Sequence, residues 1–218
     1  RMSDIGYQSK AQKNLNIKYN SLSEFLNKIK KAMTVPFPEF EKQGLRDSNN
    51  EYQQISNGII QIENEYYDSI RPKRSQLKNH RPYDLLKEFG IEYLEIRGID
   101  ISPNDISGIS LDQIQFLDLL LIYCLVSPSP KITNKEKQEI DNNDFKAIYE
   151  GRNENTEISL NGKSINICTA KDEIIEDLRS IASCFNDCEK YLGSIDNVLN
   201  IEKGKIPKEN FHNDGLAL

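Results

Sequence analysis

A carboxylate and a guanidinium stand two positions apart in residues 90–100, GIEYLEIRGID. In an extended segment Tyr93, Glu95 and Arg97 share one face, and Leu94 and Ile96 take the other. A carboxylate holds a divalent metal through oxygen, and a guanidinium holds a phosphate through paired N–H donors, so the pair suits metal-nucleotide chemistry. The same pattern describes an ion pair on a half-buried strand, and the residues alone leave both readings open.

Two neighbouring stretches carry further charge. Residues 58–67, GIIQIENEYY, alternate as a strand, with Gln61, Glu63, Glu65 and Tyr67 on one face and Ile60, Ile62, Asn64 and Tyr66 on the other. Two carboxylates in line could serve a metal, or be solvated edge charges. Beyond them Arg71, Lys73, Arg74, Lys78 and Arg81 crowd together in an acidic protein. Folded over a pocket, such a cluster focuses potential on an anion; unfolded from one, it is a solvated basic loop.

Composition bounds the function classes. The 218 residues carry a net charge of −6, with 37% hydrophobic and 28% charged residues, which fits a soluble globular protein. It excludes a nucleic-acid binder whose whole surface is basic, so a phosphate-bearing ligand needs a local basic site. Cys124, Cys168, Cys184 and Cys188 lack metal-ligand spacing, and neither of the 2 histidines lies near them. Free thiols in a reducing cytoplasm are the expectation. The most apolar run, 116–126, contains Asp118 and is too short to span a bilayer, and no signal peptide opens the sequence. Neither a Walker loop, a dinucleotide glycine signature nor an internal repeat is present. The first residue is Arg1, which suggests a start inside a longer polypeptide.

The positioning elements follow from periodicity. Ser21 and Glu24 form a capping box ahead of Phe25, Leu26, Ile29, Ala32 and Met33, a helix ended by Pro36. A short helix is expected over 38–43, stopped by Gly44, with a polar loop over 46–54. Ser110 with Gln113 opens a helix apolar on nearly all sides, expected to lie across the sheet as the main core element. Thr133 and Glu136 cap a weaker helix. Residues 156–160 and 163–168 alternate around Asn161-Gly162, the strongest hairpin signal in the chain. Thr169 and Asp172 are expected to start one amphipathic helix running through Leu192, with a last short helix over 196–201.

Several segments together resemble a known family. RMSDIGY at 1–7, QIENEYY at 61–67, IRPKR at 70–74, IEYLEIRGIDISP at 91–103 and QFLDLLLIYC at 115–124 are similar, in order, to bacterial glutamate-cysteine ligase of the single-chain type. EGR at 150–152 extends the likeness, which is strongest over 1–125. The resemblance implies an α+β, glutamine-synthetase-like fold whose antiparallel sheet holds ATP, Mg2+ or Mn2+, L-glutamate and L-cysteine. It implies phosphorylation of the glutamate side-chain carboxylate by ATP, and displacement of phosphate by the cysteine amine to give gamma-glutamylcysteine, the first step of glutathione biosynthesis.

Carried over position by position, the resemblance makes Glu95 a metal ligand and Arg97 the arginine that reaches the transferred phosphate. It makes Arg1, Tyr7 and Tyr67 the cysteine-binding residues, and Arg71, Lys73 and Arg74 part of a nucleotide-side segment. Gly98 departs from an expected small hydroxyl residue, and the stretch between Arg74 and Gly90 looks rearranged. The family's other metal-binding carboxylates, and a histidine, lie upstream of the segment matching Arg1. Residues 1–218 are therefore expected to be an internal or C-terminal portion of the catalytic domain, inactive without the N-terminal half of the same polypeptide and poorly soluble alone. The competing reading is a truncated, catalytically silent relative acting as an interaction or regulatory module.

Overall fold

The computed structural model describes residues 11–102 and 105–202. Among them are helices α1 (Leu22–Thr34), α2 (Pro38–Gln43), α3 (Pro82–Phe89), α4 (Leu111–Val126), α5 (Asn134–Glu150), α6 (Ile167–Ala182) and α7 (Cys188–Glu202). Strands β1 (Ile70–Lys73) and β2 (Tyr93–Ile96) form one antiparallel ribbon, and β3 (Glu157–Leu160) and β4 (Lys163–Asn166) another. The class is α+β, as the sequence implied. The chain divides into two compact units. One comprises the described residues through Ile99 with Lys131–Tyr149; the other comprises the described residues of Asp100–Pro130 and those from Glu150 onward.

The first unit is built on α1. Ser21 is extended at φ −160° and its Oγ accepts from Glu24 N at 3.2 Å, satisfying a free helix-end donor as the capping box predicts. Phe25, Leu26, Ile29 and Ala32 fall on one face and are buried with Ile17, Ile60, Tyr66 and Leu86. The helix stops at Thr34 because Pro36 biases Val35 to extended backbone, observed at φ −81° and ψ 119°.

The expected strand over 58–67 does not form. Gly58 passes so close to the end of α1 that a Cβ there would meet Met33 O at 2.4 Å, and Ile60 N donates to Ala32 O at 3.1 Å. Ile60 N is thus engaged by the helix end, Gln61 N donates to Glu65 Oε2 at 2.7 Å, and Glu63–Glu65 turn as a single 3-10 helix. Alternation was present because Ile60 and Tyr66 enter the core.

Two elements flank the basic loop, which keeps Arg74, Lys78 and Arg81. β1 holds Arg71 and Lys73, and α3 follows with Pro82 at its first turn and Gly90 beyond its end at φ +77°. That N-terminal proline and C-terminal glycine are helix punctuation visible in the sequence. Leu85 and Leu86 supply its buried face. α5 begins as Thr133 and Glu136 predict, with Glu136 N donating to Thr133 Oγ1 at 3.1 Å.

In the second unit α4 carries the predicted reciprocal box: Gln113 N donates to Ser110 Oγ at 3.1 Å, and Ser110 N donates to Gln113 Oε1 at 2.8 Å. Its packing partners are α6 and α7, around Leu119, Ile175, Leu178, Ala182 and Ile195. It is a member of a helical cluster, which corrects the expectation that it lies across a sheet. Only Gln115 and Leu119 of α4 are buried, because one helix face suffices to meet α6 and α7. β3 and β4 pair with Ile158 opposite Ile165, turned by Asn161 at φ +53° and Gly162 at φ +75°. The single helix expected over 169–192 is two. α6 starts earlier, where Asn166 Oδ1 accepts from Cys168 N at 2.9 Å, and it ends at Ser183. There Cys184 N and Phe185 N bond back to Ile181 O and Ala182 O, tightening the last turn before α7. Among the described residues no helix is long and apolar enough to cross a membrane.

Candidate functional site

The register of β1 and β2 sets Arg71 directly opposite Glu95. Arg71 Nη2 and Nε donate to Glu95 Oε2 at 2.9 and 3.2 Å, and its Nη1 donates to Tyr66 O at 2.8 Å and Asn64 O at 3.2 Å. Arg71 is only 7% exposed, so this cation is tolerable because its donors meet a carboxylate and two carbonyls. Lys73 Nζ lies 3.9 Å from the same Glu95 oxygen. Burial opposes ionisation of Glu95, but the Arg71 hydrogen bonds and charge, followed by Lys73 and Arg97, outweigh it and hold the carboxyl below its ordinary range. Glu95 is therefore an anion at neutral pH, with Oε1 free of hydrogen bonds among the described residues.

Arg97 follows the last residue of β2. Its N–H donates to Ser69 O at 2.6 Å, extending the ladder by one step, and its guanidinium carbon sits 4.9 Å from the centre of the Tyr67 ring. Tyr67 N donates to Gln12 Oε1 at 3.2 Å, and Gln12 Nε2 donates to Glu65 O at 2.9 Å, so the amide of Gln12 fastens this segment at two points. Arg71, Glu95 and Lys73 thus share one face of the ribbon, with Arg97 and Tyr67 beside its Ile70–Ile96 end. Arg1 and Tyr7 lie outside the described residues.

The remaining expected site residues are placed in supporting positions. Glu63 accepts from Arg81 Nη2 at 2.7 Å and from Tyr83 N at 3.1 Å, which makes it the cap of α3. Burial works against its charge, but Arg81 and the backbone donors prevail and lower its pKa. Glu65 accepts from Gln61 N at 2.7 Å. With no strand at 58–67, the shared face proposed for Glu63, Glu65 and Tyr67 is absent. Arg74 Nη1 donates to Phe89 O at 2.7 Å and Gly90 O at 3.3 Å, closing the end of α3.

Among the described residues no three His, Cys, Asp or Glu side chains gather as a metal cage. Glu95 is one acid among three cations, which does not by itself fit a divalent ion. An apolar cavity of about 500 Å³ lies behind the ribbon, lined by Ile70, Pro72, Leu94 and Phe25 together with Ile140 of α5. Its lining is mostly apolar, with Lys18, Lys137, Asp68 and Asp144 among the wall residues, so its two lysines are offset by two carboxylates and it is a poor seat for a triphosphate. The charged face of the ribbon is the candidate site.

Comparison with known proteins bears on what that face belongs to. The family model for glutamate-cysteine ligase matches residues 1–147. The chain belongs to the glutamate-cysteine ligase family. The matched span includes β1, β2 and every residue of the candidate site. The chain is 40% identical over 190 residues to glutamate-cysteine ligase of Alcanivorax borkumensis, covering 85% of this chain and 36% of that protein. The enzyme of Shewanella halifaxensis is 38% identical over 187 residues, covering 86% and 36%. A crystal structure of glutamate-cysteine ligase from Francisella tularensis in complex with AMP superposes with a TM-score of 0.83 at 30% identity, covering 94% of this chain and 40% of that one. The chain therefore spans little more than a third of the length of the curated relatives it matches.

Sequence reasoning missed the partner of Glu95. Composition reads Arg71 only as one of a cluster of basic residues, whereas it lies in a two-stranded ribbon in which Pro72 need not donate. The alternation Ile70, Arg71, Pro72, Lys73 was the signal available.

Proposed function

We propose that this chain is a portion of the catalytic domain of a glutamate-cysteine ligase and supplies one wall of its active site. The reading rests on one observation above others: an ionised Glu95 clasped by buried Arg71, with Lys73 and Arg97 beside it, inside the span matched by the family. In the reaction the glutamate side-chain carboxylate attacks the terminal phosphorus of ATP, ADP leaves, and the cysteine nitrogen then displaces phosphate from the acyl phosphate. The burden on the protein is electrostatic and positional, since negative charge accumulates on the transferring phosphoryl oxygens.

Arg97 is the group assigned to those oxygens. Its guanidinium carbon lies 4.9 Å from the centre of the Tyr67 ring, a cation–π contact that restrains where the charge sits. Lys73 is the nucleotide-side cation, and Arg71 and Arg74 act through Glu95 and the end of α3. Tyr67, with Arg1 and Tyr7, is assigned to the acceptor cysteine. Glu95 Oε1 is the one ligand this wall would offer to Mg2+ or Mn2+; a divalent ion would polarise the phosphoryl oxygens, and its other ligands would come from polypeptide outside the described residues. The finer assignments, a glutamine-synthetase-like sheet completed by that polypeptide and a cytoplasmic location, belong to the same proposal. An ATP-dependent coupling assay with glutamate and cysteine tests it. The 218-residue chain alone should show no turnover, and a ligase polypeptide containing it should lose turnover on Arg97→Ala and Glu95→Gln while keeping its fold. Full turnover by either variant refutes the assigned role.

A further inference from the structure

Arg97 touches two things among the contacts described above, the ring of Tyr67 and the carbonyl of Ser69, and both are chain neighbours of Asp68. Asp68 is an anchor. Its Oδ2 accepts from Tyr66 Oη at 2.7 Å and Tyr19 Oη at 2.8 Å, and its Oδ1 accepts from Ser69 N at 2.7 Å. Tyr19 Oη also lies 2.9 Å from Ile70 O, so it ties the aspartate to the first residue of β1. Both phenols meet Phe25 of α1: Tyr66, in the core, edge-on with centroids 6.2 Å apart, and the partly exposed Tyr19 stacked at 5.4 Å. Burial, together with the negative charge of Asp68, pushes both phenols above their ordinary range, so they remain O–H donors at any working pH.

The segment held by this carboxylate packs closely against Gly98, the residue after Arg97. A Cβ on Gly98 would lie 3.2 Å from Ser69 Cβ, so a larger residue there would press the two segments apart. That gives a reason for glycine where a small hydroxyl residue was expected.

We propose that Asp68, clamped by Tyr19 and Tyr66, is the positioning residue for Arg97: it fixes the 66–69 segment, and that segment presents both the Tyr67 ring and the Ser69 carbonyl to the arginine. This rests on the reading of Arg97 as the phosphoryl-contacting group, but its geometric content stands apart from it. Displacing a reacting contact by about 1 Å can cost about a hundredfold in rate, so a carboxylate that acts through its neighbours can govern kcat.

The test has two arms. In the 218-residue chain the Tyr67 ring should shield the side-chain protons of Arg97, an NMR shift that can be assigned by its loss in Arg97→Lys. Asp68→Ala should return that resonance to its unshielded position while the methyl signals of Leu119 and Leu178 in the other unit stay fixed. Asp68→Asn, which keeps a carbonyl acceptor, should retain most of the shift. Tyr19→Phe removes one donor at a partly exposed ring and serves if Asp68→Ala does not fold; it should give a partial loss. An Arg97 signal unmoved in Asp68→Ala, or in Tyr19→Phe if that is the folded variant, overturns the inference. In a ligase polypeptide containing the segment, Asp68→Ala should lower kcat by about a hundredfold with little change in the KM for ATP, and Asp68→Asn should recover much of it. Loss of thermal stability with kcat intact would make Asp68 merely structural and overturn the inference. Full activity of Arg97→Ala would instead sink the assignment of Arg97, leaving the NMR arm to judge the clamp.

Discussion

The chain contains two antiparallel ribbons of the same size, each with four-residue strands, and they are specified in opposite ways. β3 and β4 are joined by Asn161-Gly162, both at positive φ, and their register follows from that turn and from Ile158 facing Ile165. β1 and β2 are separated by α3, and their register is marked by a charge pair, Arg71 against Glu95, with the arginine buried and also bonded to Asn64 O and Tyr66 O. The first ribbon is local and carries no cluster of charge. The second is assembled from distant segments, and it is where an acid, two arginines, a lysine and a tyrosine converge. Long-range assembly is what brings residues of unlike charge and different parent elements to one point, and a two-residue turn has no means to do that.

If this contrast is right, the ribbons should fail differently. Arg71→Ala removes four hydrogen bonds and leaves Glu95 without its principal counter-charge. The cost should be about 2 to 4 kcal/mol, less than for a fully buried pair because Glu95 can rehydrate. Denaturant melts should show it, and amide exchange should rise around β1, β2 and the 66–69 segment while α6 and α7 stay protected. An unaltered melt would mean that the pair does not set the register.

Gly162→Ala strains a backbone at φ +75° and should cost about 1 kcal/mol, confined to the hairpin. Exchange should rise at β3 and β4 only, with the Arg97 environment unchanged. Ser110→Ala removes one arm of a reciprocal cap and should cost about 1 kcal/mol, read as fraying of the first turn of α4.

The smallest expected effect is in pH dependence. Glu95 and Glu63 both have folded-state pKa values held below the ordinary range, so their contribution is present above the unfolded value of about 4.3 and is lost as pH falls through the folded values. Arg71→Met should flatten the Glu95 part of that acid slope and leave the Glu63 part, which depends on Arg81. A slope unchanged by Arg71→Met would assign it to other carboxylates.

The same contrast explains what was legible in the sequence. Features set by neighbours in the chain were readable: the Ser21 cap, the Ser110-Gln113 box, the Asn161-Gly162 turn and α2 ended by Gly44. Features set at a distance were not. The 58–67 segment alternates like a strand, but Ile60 N goes to the end of α1 and Gln61 N to the Glu65 side chain, and periodicity does not announce that. α4 is apolar on nearly all sides after Phe116, and periodicity could not reveal that its partners are helices. At the site, Glu95 and Arg97 were visible as a pair, whereas the role of Arg71 depends on cross-strand register, and that of Asp68 on two tyrosines from different parts of the chain.

The central claim is that the guanidinium at the end of β2 meets the phosphoryl group in flight. The most direct measurement is glutamate-dependent ADP release by a ligase polypeptide containing this segment, compared with its Arg97→Ala variant at matched folded fraction. The account predicts a fall of about a hundredfold or more with the glutamate KM nearly unchanged. Release within about twofold of the parent would contradict it, since charge stabilisation of that kind cannot be removed so cheaply.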